Sequence, residues 1–301
     1  MGIVYNHAGQ LLKAKKKGVN FGKTITIGHQ SLYIRKDELS KLARAYNVKS
    51  DISKYSWKDY CDDFFKDFLD ATDVLSIDHS DYQNCDFVHD MNTPINTSQH
   101  NQYDVVIDGG ACEHIFNFPV CIENMMKMVK PGGSLFIITT CNNMMGHGFY
   151  QFSPEVFYRI FDKSNGFEIK EVVLEMFPFP GPELSSGKKL YSVKDPEKVM
   201  KRVQLVTKSP VEIMVHAVKT ESKQIFASYP IQSDYALRHS GFASGIDSAE
   251  HNAHIQKQSF AKNIHNKLPL KLKNYISGKL QLLRYNFSNK EFYEKWDPLD
   301  H

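Results

Sequence analysis

Apolar and polar positions along the first two thirds of the chain alternate between strand-like and helix-like patterns. Apolar residues recur at helical spacing over 39–46, 57–69 and 119–129, and Ser153-Pro154 is typical of a helix start. Short apolar runs predict seven strands, at 24–27, 74–77, 87–88, 104–108, 134–139, 167–173 and 211–218. Strands that alternate with helices indicate an α/β fold, a mostly parallel seven-stranded sheet of the Rossmann-like kind with helices on both faces.

The alternation ends near Lys219, and this sets the predicted domain boundary. Within the strand-helix region, a Pro- and Gly-rich insertion covers 178–187, and a helix is predicted over 196–205. We expect residues 1–218 to form one α/β domain. Residues 219–301 are expected to form a C-terminal extension that caps the substrate side or contributes to a homodimer.

Composition narrows the classes of partner. The net charge is only +3, with 42% hydrophobic and 24% charged residues, so the whole protein is not expected to bind nucleic acid. A lysine cluster near the start and the acid-free stretch 262–284 are interpreted as solvated faces, with an anionic substrate or a membrane surface as the alternative. Five cysteines without a Cys-x-x-Cys pair, and no long apolar run, predict a soluble cytoplasmic protein with reduced thiols and no transmembrane segment.

The candidate binding residues are those directly after the predicted strands, because parallel sheets bind ligands at the carboxyl ends of their strands. An acid that ends the second strand can accept hydrogen bonds from both ribose hydroxyls of a nucleoside, and Asp78, followed by His79, has that place. After the third strand, the Asp90 carboxylate can accept a hydrogen bond from an adenine amino group, and the Met91 backbone N–H can donate one to the ring. After the fourth strand, Asp108-Gly109-Gly110 lets a ligand approach bare backbone.

Missing motifs count against cofactors that carry phosphate. A dinucleotide needs Gly-x-Gly-x-x-Gly after the first strand, and this chain has Gly28-His29-Gln30-Ser31-Leu32 there. A Gly-x-x-x-x-Gly-Lys-Ser/Thr loop is also missing. The sequence therefore favours a nucleoside cofactor without a pyrophosphate.

These motifs in this order are similar to those of class I S-adenosylmethionine-dependent methyltransferases. The similarity covers residues from about 20 to 218 and is most specific at Glu113-His114 followed by a helix and Lys130-Pro131-Gly132-Gly133. Residues 146–155 resemble a bacterial subgroup associated with surface-polysaccharide biosynthesis. The chain departs from the family in its first glycine-rich loop, where only Gly28 remains and Gln30 is expected to substitute through its amide.

The resemblance implies S-adenosylmethionine as cofactor and methyl transfer as the reaction, most simply to a hydroxyl of a sugar-like small acceptor, with an anionic acceptor as an open alternative. His147, between two glycines after the fifth strand, is the preferred general base. His114 is the second choice, and Tyr150 is expected to position the acceptor. The residues expected to bind the cofactor are Gly28, Gln30, Asp78, His79, Asp90, Met91, Asp108, Gly109, Gly110 and Glu113.

Three other functions remain open at this point: an N-methyltransferase, a non-catalytic nucleoside-binding module and an NAD-dependent sugar-modifying enzyme. The missing pyrophosphate loop counts against the last of these. No bound metal is expected, because the sequence shows no coherent cluster of ligands; His251 and His254 lie in a polar segment without a matching carboxylate or cysteine.

Overall fold

The computed structural model describes residues 2–179, 181–184, 188–235 and 269–300. The chain forms two compact units, of which the first comprises Met1–Val193, Lys208–Pro230 and Lys295–His301. The second comprises Lys194–Thr207 and Ile231–Glu294. This division differs from the expected boundary at 218/219 because 194–207 belong to the second unit and the last residues belong to the first.

All seven predicted strands are present. They are β2 (Lys23–Ile27), β4 (Asp73–Asp78), β5 (Phe87–Val88), β6 (Tyr103–Gly109), β7 (Val129–Asn142), β8 (Phe167–Met176) and β10 (Val211–Lys219). Four short strands were not predicted: β1 (Gly2–Val4), β3 (Ser31–Tyr33), β9 (Lys189–Val193) and β11 (Tyr293–Lys295).

The main sheet has nine strands in the order β11-β9-β8-β10-β7-β6-β2-β4-β5. Strands β5, β4, β2, β6 and β7 are mutually parallel, whereas β10 is antiparallel to both of its neighbours and β9 is antiparallel to β8. The predicted count of seven strands was therefore wrong, and the sheet is mixed. The Rossmann-like arrangement was correct, since the chain places β4 and β5 on one side of β2 and β6 and β7 on the other.

The central strands are covered on both faces. Consecutive residues of β6 and β7 are buried from Val105 to Gly109 and from Ser134 to Thr140. Because successive side chains of a strand point to opposite faces, a continuous buried run requires packing on both sides. This explains why the sequence of these strands is apolar without alternation.

The helices are α1 (Tyr5–Lys16), α2 (Lys36–Ala45), α3 (Asp62–Leu69), α4 (Phe118–Met128), α5 (Pro154–Ile160) and α6 (Leu270–Arg284). Helices α2, α4 and α5 agree with the predicted ones, and α1 and α6 were not predicted. The stripe that begins at Trp57 forms a helix only from Asp62, and its first two aromatic residues are part-exposed.

The helix predicted over 196–205 was wrong. The chain makes turns over 196–200, and Met200 adopts a left-handed conformation with φ of 50°, which interrupts helical hydrogen bonding. Most of the side chains from 197 onward in this segment are exposed, so no apolar face stabilises a helix there.

The five cysteines are all free thiols, and Cys61, Cys112 and Cys121 are buried. Burial raises the pKa of each of these three thiols well above its usual value, which makes them unreactive.

Within the described residues, no helix combines the length and the apolar character needed to cross a membrane.

Candidate active site

The carboxyl ends of five parallel strands meet at one edge of the sheet. Gly28 follows β2, Asp78 ends β4, Asp90 lies two residues beyond β5, and Gly109 ends β6. The strand order reverses between β2 and β6, and such a reversal leaves a crevice in which open α/β sheets bind ligands. Two cavities open at this edge.

The first cavity, called here the β4–β5 cavity, has a volume of about 440 Å³. Five residues predicted to bind a nucleoside line it together with His114. They are Gly28, Asp78, His79, Asp90 and Met91. Apolar side chains of Ile27, Ile77 and Ile115 also line it, so the cavity combines apolar surface with carboxylates.

The two carboxylates of this cavity have different surroundings. One oxygen of Asp78 accepts a hydrogen bond from the His79 backbone N–H at 2.6 Å. Asp90 Oδ1 accepts bonds from the backbone and side-chain nitrogens of Asn92, at 2.9 and 2.8 Å, and these bonds hold the pKa of Asp90 below its usual value. Asp90 is thus kept ionised and fixed in its turn, ready to accept from a ligand.

The second cavity, called here the β6–β7 cavity, has a volume of about 530 Å³. Four residues predicted from the sequence line it: Gly109, Gly110, Glu113 and His147. His114 lines both cavities, so the two spaces meet at the turn that follows β6. Tyr33, Thr139 and the loop 143–147 form part of the remaining wall.

The loop that carries His147 is fastened to Glu113 through the backbone. The Phe149 N–H donates to the Glu113 carbonyl at 2.7 Å, and a Cβ on Gly148 would lie 2.6 Å from that carbonyl oxygen. Gly148 also has a φ of +78°, so only glycine allows this approach. The result places His147 Nε2 at 3.6 Å from Glu113 Oε1 and the His147 ring 5.1 Å from the His114 ring.

Three predicted residues line neither cavity. The buried side chain of Asp108 accepts from the backbone nitrogens of Ala111 and Cys112, at 2.7 and 3.2 Å, and so shapes the turn after β6. Burial and the neighbouring Glu113 carboxylate raise the pKa of Asp108 to about 7. The Tyr150 hydroxyl donates to the Phe116 carbonyl at 2.6 Å.

Gln30 is the third such residue, and it is fully enclosed. Its Nε2 donates to the Ile27 carbonyl at 2.7 Å, and its Oε1 lies so near Gly109 that a Cβ there would be only 2.4 Å away. Gln30 therefore packs the β2 turn against the end of β6. The structure gives it a supporting position beneath the site, not a place on the cavity wall.

A buried polar cluster that was not predicted from the sequence lies at the wall of the β6–β7 cavity. His7 and Glu212 both line this cavity, with His7 Nε2 at 3.3 Å from Glu212 Oε2, and Glu175 lies behind them at 3.8 Å from His7. His7 Nε2, Glu175 Oε2 and Glu212 Oε2 have no hydrogen-bond partner, because these contacts lack hydrogen-bond geometry. Burial raises the pKa of Glu212 to about 8 and lowers that of His7 to about 4.

A signal for one member of this cluster was present in the sequence. Glu212 is an acid within the otherwise apolar run 211–215, where only a functional or paired carboxylate is expected. His7 gave no such signal, because the helix that carries it was not predicted.

The structure brings together a group of possible metal ligands that the sequence did not reveal. Glu113, His114 and His147 place one ligand atom each within 4.8 Å of one another. The sequence concealed this group because Glu113 and His147 lie on two different loops, which the sheet brings together.

The donor groups fit a nucleoside without phosphates. No lysine or arginine is among the described residues that line either cavity. The turn after β2 leads within three residues into β3 and not into a helix, so no helix N-terminus is available there for a pyrophosphate.

The comparisons with known proteins leave family membership open. No protein-family model and no curated protein matches the sequence. Among solved structures, an S-adenosylmethionine-dependent methyltransferase from Thermotoga maritima is 13% identical, with a TM-score of 0.37, and the match covers 71% of this chain and 90% of that one.

Two further solved structures give similar values. A trans-methyltransferase named CalH, in complex with S-adenosylhomocysteine, is 12% identical with a TM-score of 0.35, and the match covers 71% of this chain and 57% of that one. A variant of a 16S rRNA adenine methyltransferase from Catenulisporales acidiphilia is 11% identical with a TM-score of 0.35, over 72% of this chain and 93% of that one. Identities and scores this low assign neither an activity nor an acceptor to this chain.

Proposed function

We propose that this protein is an S-adenosylmethionine-dependent methyltransferase that methylates a hydroxyl group of a small polar acceptor. The observation that carries this proposal is the pair of adjoining cavities at the strand-order reversal. The β4–β5 cavity offers an apolar slot with two carboxylates and no cation, as an adenosine requires. The β6–β7 cavity adjoins it at His114 and provides space for an acceptor.

Asp78 is the proposed partner of the ribose hydroxyls, and Asp90 with the Met91 backbone is the proposed partner of the adenine edge. Gly109 and Gly110 have no side chain to obstruct a ligand that passes from one cavity to the other. S-adenosylmethionine supplies a methyl group on a positively charged sulfur, and transfer is an in-line displacement that depends on alignment.

Proton removal from the acceptor is assigned to His147, whose ring faces the Glu113 carboxylate at 3.6 Å. A neutral hydroxyl is a weak nucleophile, so a general base contributes typically about 10²–10⁴-fold to the rate. His147→Ala should therefore lower the single-turnover rate of methyl transfer by about that factor while the affinity for S-adenosylhomocysteine stays unchanged. His100→Ala is the matched control, because His100 precedes β6 at the opposite edge of the sheet. An unchanged rate in His147→Ala would transfer the role of base to His114.

The charge of the β6–β7 cavity favours a neutral, hydroxyl-rich acceptor such as a sugar. Glu113 and Glu183 line it, the raised pKa of Glu212 leaves that third acid largely protonated near pH 7, and the described lining residues include no lysine or arginine. Carboxylates accept hydrogen bonds from hydroxyls and repel other carboxylates, which disfavours an anionic acceptor. The same carboxylates also suit a protonated amine, so N-methylation is the second candidate, and mass spectrometry of the methylated product distinguishes the two.

Calorimetric titration with S-adenosylhomocysteine, S-adenosylmethionine and NAD⁺ tests the cofactor assignment. We expect both sulfur compounds to bind and NAD⁺ not to bind. Binding of NAD⁺ alone would overturn the proposal in favour of a nicotinamide enzyme. Cofactor binding without turnover on neutral sugars, amino sugars or uronic acids would instead favour the non-catalytic nucleoside-binding module.

A further inference from the structure

The side chains of Glu113, His114 and His147 form a compact group at the point where the two cavities meet. One ligand atom from each lies within 4.8 Å of the other two, so a single point exists within about 2.8 Å of all three. Metal–nitrogen and metal–oxygen bonds to zinc in proteins are about 2.0–2.2 Å long. Small rotations of the two exposed imidazoles would shorten the distance of about 2.8 Å to a bond length of this kind.

These ligand atoms are available for coordination. Glu113 Oε2 accepts a hydrogen bond from the Thr139 hydroxyl at 2.8 Å, while Oε1 faces His147 Nε2 at 3.6 Å, beyond hydrogen-bond distance. Within the described part of the chain, the rings of His114 and His147 make no hydrogen bond. The Glu113 side chain is 98% buried, and its Oε1 accepts no hydrogen bond from the described residues, so this oxygen is free to coordinate a cation.

Contacts around the three side chains hold the two loops that carry them in place before any ion binds. The Phe149 N–H to Glu113 carbonyl bond and the close approach of Gly148 fix the His147 loop to the Glu113 turn. The Thr139 hydroxyl orients the Glu113 carboxylate, as outer groups commonly orient metal ligands. Two separate loops are thus held in a fixed relation by contacts that do not use the ligand atoms themselves.

The donor set indicates the kind of ion. Two imidazoles and one carboxylate suit zinc, iron, cobalt or manganese better than magnesium or calcium, which prefer oxygen ligands. Three protein ligands leave coordination positions open to the β6–β7 cavity, as in catalytic sites and unlike closed structural sites.

We propose that Glu113, His114 and His147 bind one divalent first-row transition-metal ion at the acceptor end of the site. Binding of the ion does not depend on the proposed function, but its role in the reaction rests on that function. Such an ion lowers the pKa of a hydroxyl bound to it. In the ion-bound protein, His147 is a ligand, and coordination replaces it as the means of activating the acceptor hydroxyl.

Titration of the chelator-treated, full-length protein with Co²⁺ tests the site, followed by calorimetry and by visible absorption, which reports nitrogen and oxygen ligation directly. We expect one high-affinity ion per chain. Glu113→Gln and His147→Ala should each weaken Co²⁺ binding at least about tenfold, because even groups that only orient ligands contribute about 10–100-fold. His100→Ala removes a histidine outside the cluster and should bind Co²⁺ like the wild type.

Circular dichroism of each variant confirms folding before its affinity is interpreted. Equal affinity in the wild type and both cluster variants would overturn the inference and show that Co²⁺ binds elsewhere or adventitiously. No high-affinity ion in the wild type would overturn it as well. S-adenosylhomocysteine binding to the chelator-treated wild-type protein separates the two proposals. If the wild type binds no S-adenosylhomocysteine, the methyltransferase proposal fails. If it binds S-adenosylhomocysteine but not Co²⁺, only the metal-site proposal fails.

Discussion

At the scale of single residues, both cavities draw their charge from carboxylates. Asp78 and Asp90 line one cavity, and Glu113 and Glu183 line the other. Carboxylates that face a cavity without lysine or arginine among its described lining residues bind ligands rich in hydrogen-bond donors or positively charged groups. A nucleoside and a sulfonium meet this requirement, whereas phosphates and carboxylates do not.

Replacing Asp78 tests the residue on which nucleoside binding depends most. Its carboxylate lines the β4–β5 cavity, and loss of a hydrogen bond to a charged group is worth about 1.5–3 kcal/mol. Asp78→Ala should therefore weaken S-adenosylhomocysteine binding in calorimetry by that amount. Asp81→Ala, an exposed acid three residues further on that does not line the cavity, is the control. Equal affinities in the two variants would contradict the ribose assignment.

His216 should make the stability of the fold depend on acid pH. It is buried on β10, stacks on Phe136 with ring centroids 4.3 Å apart, and hydrogen-bonds with Ser134. Burial, helped by the charges of Lys17 and Lys170, lowers the pKa of His216 to about 3. In the unfolded chain its pKa is about 6.5, so below that pH the unfolded state binds a proton that the folded state does not.

The free energy of unfolding should consequently fall as pH decreases from about 6.5 towards 3. At pH 5, the contribution of His216 to this decrease is about 2 kcal/mol. His216→Gln removes the titrating group, so urea midpoints at pH 7 and pH 5 should differ less in the variant than in the wild type. An identical shift in both proteins would show that His216 is protonated without cost. His7, with its pKa lowered to about 4, leaves part of the dependence in the variant.

Residues that sit directly after a strand could be predicted from the sequence, and residues contributed by distant elements could not. Asp78 and Gly109 end the predicted strands, so their position at the binding edge follows from strand order alone. Glu175 and His7 come from β8 and the N-terminal helix α1, and only tertiary packing brings them together beside the site.

At the scale of elements, the turn between β2 and β3 replaces the glycine-rich loop that was expected. Gln30 in that turn fills the space beside Gly109 and bonds the carbonyl of Ile27. The Gln30 side chain thus occupies the place where the expected loop would have a second glycine and the start of a helix. The position of Gly109 depends on this contact.

Gly109→Ala tests the contact between the two elements. The added Cβ would lie 2.4 Å from Gln30 Oε1, so one element must move, and such overpacking costs about 1–3 kcal/mol. We expect a lower urea midpoint together with weaker S-adenosylhomocysteine binding. Gly278→Ala, with nothing within 4 Å of the new atom, should leave both unchanged or raise stability slightly. A Gly109 variant with wild-type values for both would show that Gln30 moves freely and does not position the site.

Strand prediction succeeded where burial on both faces leaves long apolar runs, as in β6 and β7. It failed for β1 and β3, which are three residues each and carry no periodicity of their own. Helix α1 escaped prediction because Asn6, His7 and Gln10 occupy buried positions that an amphipathic pattern assigns to apolar residues. Of these polar residues, His7 lines the β6–β7 cavity, while Asn6 and Gln10 donate hydrogen bonds to Glu175 and Glu171.

At the scale of the whole molecule, the two ends of the first unit pack against each other. The Lys13 ammonium lies 4.7 Å from the centre of the Trp296 ring, and Pro298 fills the space beside Gly9 on α1. Trp296 also donates from its indole nitrogen to Glu171 at 2.8 Å. Contacts between residues more than 280 positions apart leave no local pattern, which is why a boundary at 218/219 separated segments that belong together.

Trp296→Ala should therefore destabilise the first unit and not a separate extension. The side chain is 6% exposed, and truncation of a buried tryptophan to alanine costs about 3–5 kcal/mol, because apolar contacts are lost and a cavity remains. The variant should show a lower urea midpoint by far-ultraviolet circular dichroism. The chain has one other tryptophan, Trp57, which is 39% exposed, and Trp57→Ala should cost distinctly less.

S-adenosylhomocysteine should shift the midpoint of Trp296→Ala upwards, since a ligand that binds only the folded unit stabilises it. A Trp296 variant as stable as Trp57→Ala would mean that the C-terminal segment is dispensable for the sheet and that the expected division at 218/219 describes the folding units better.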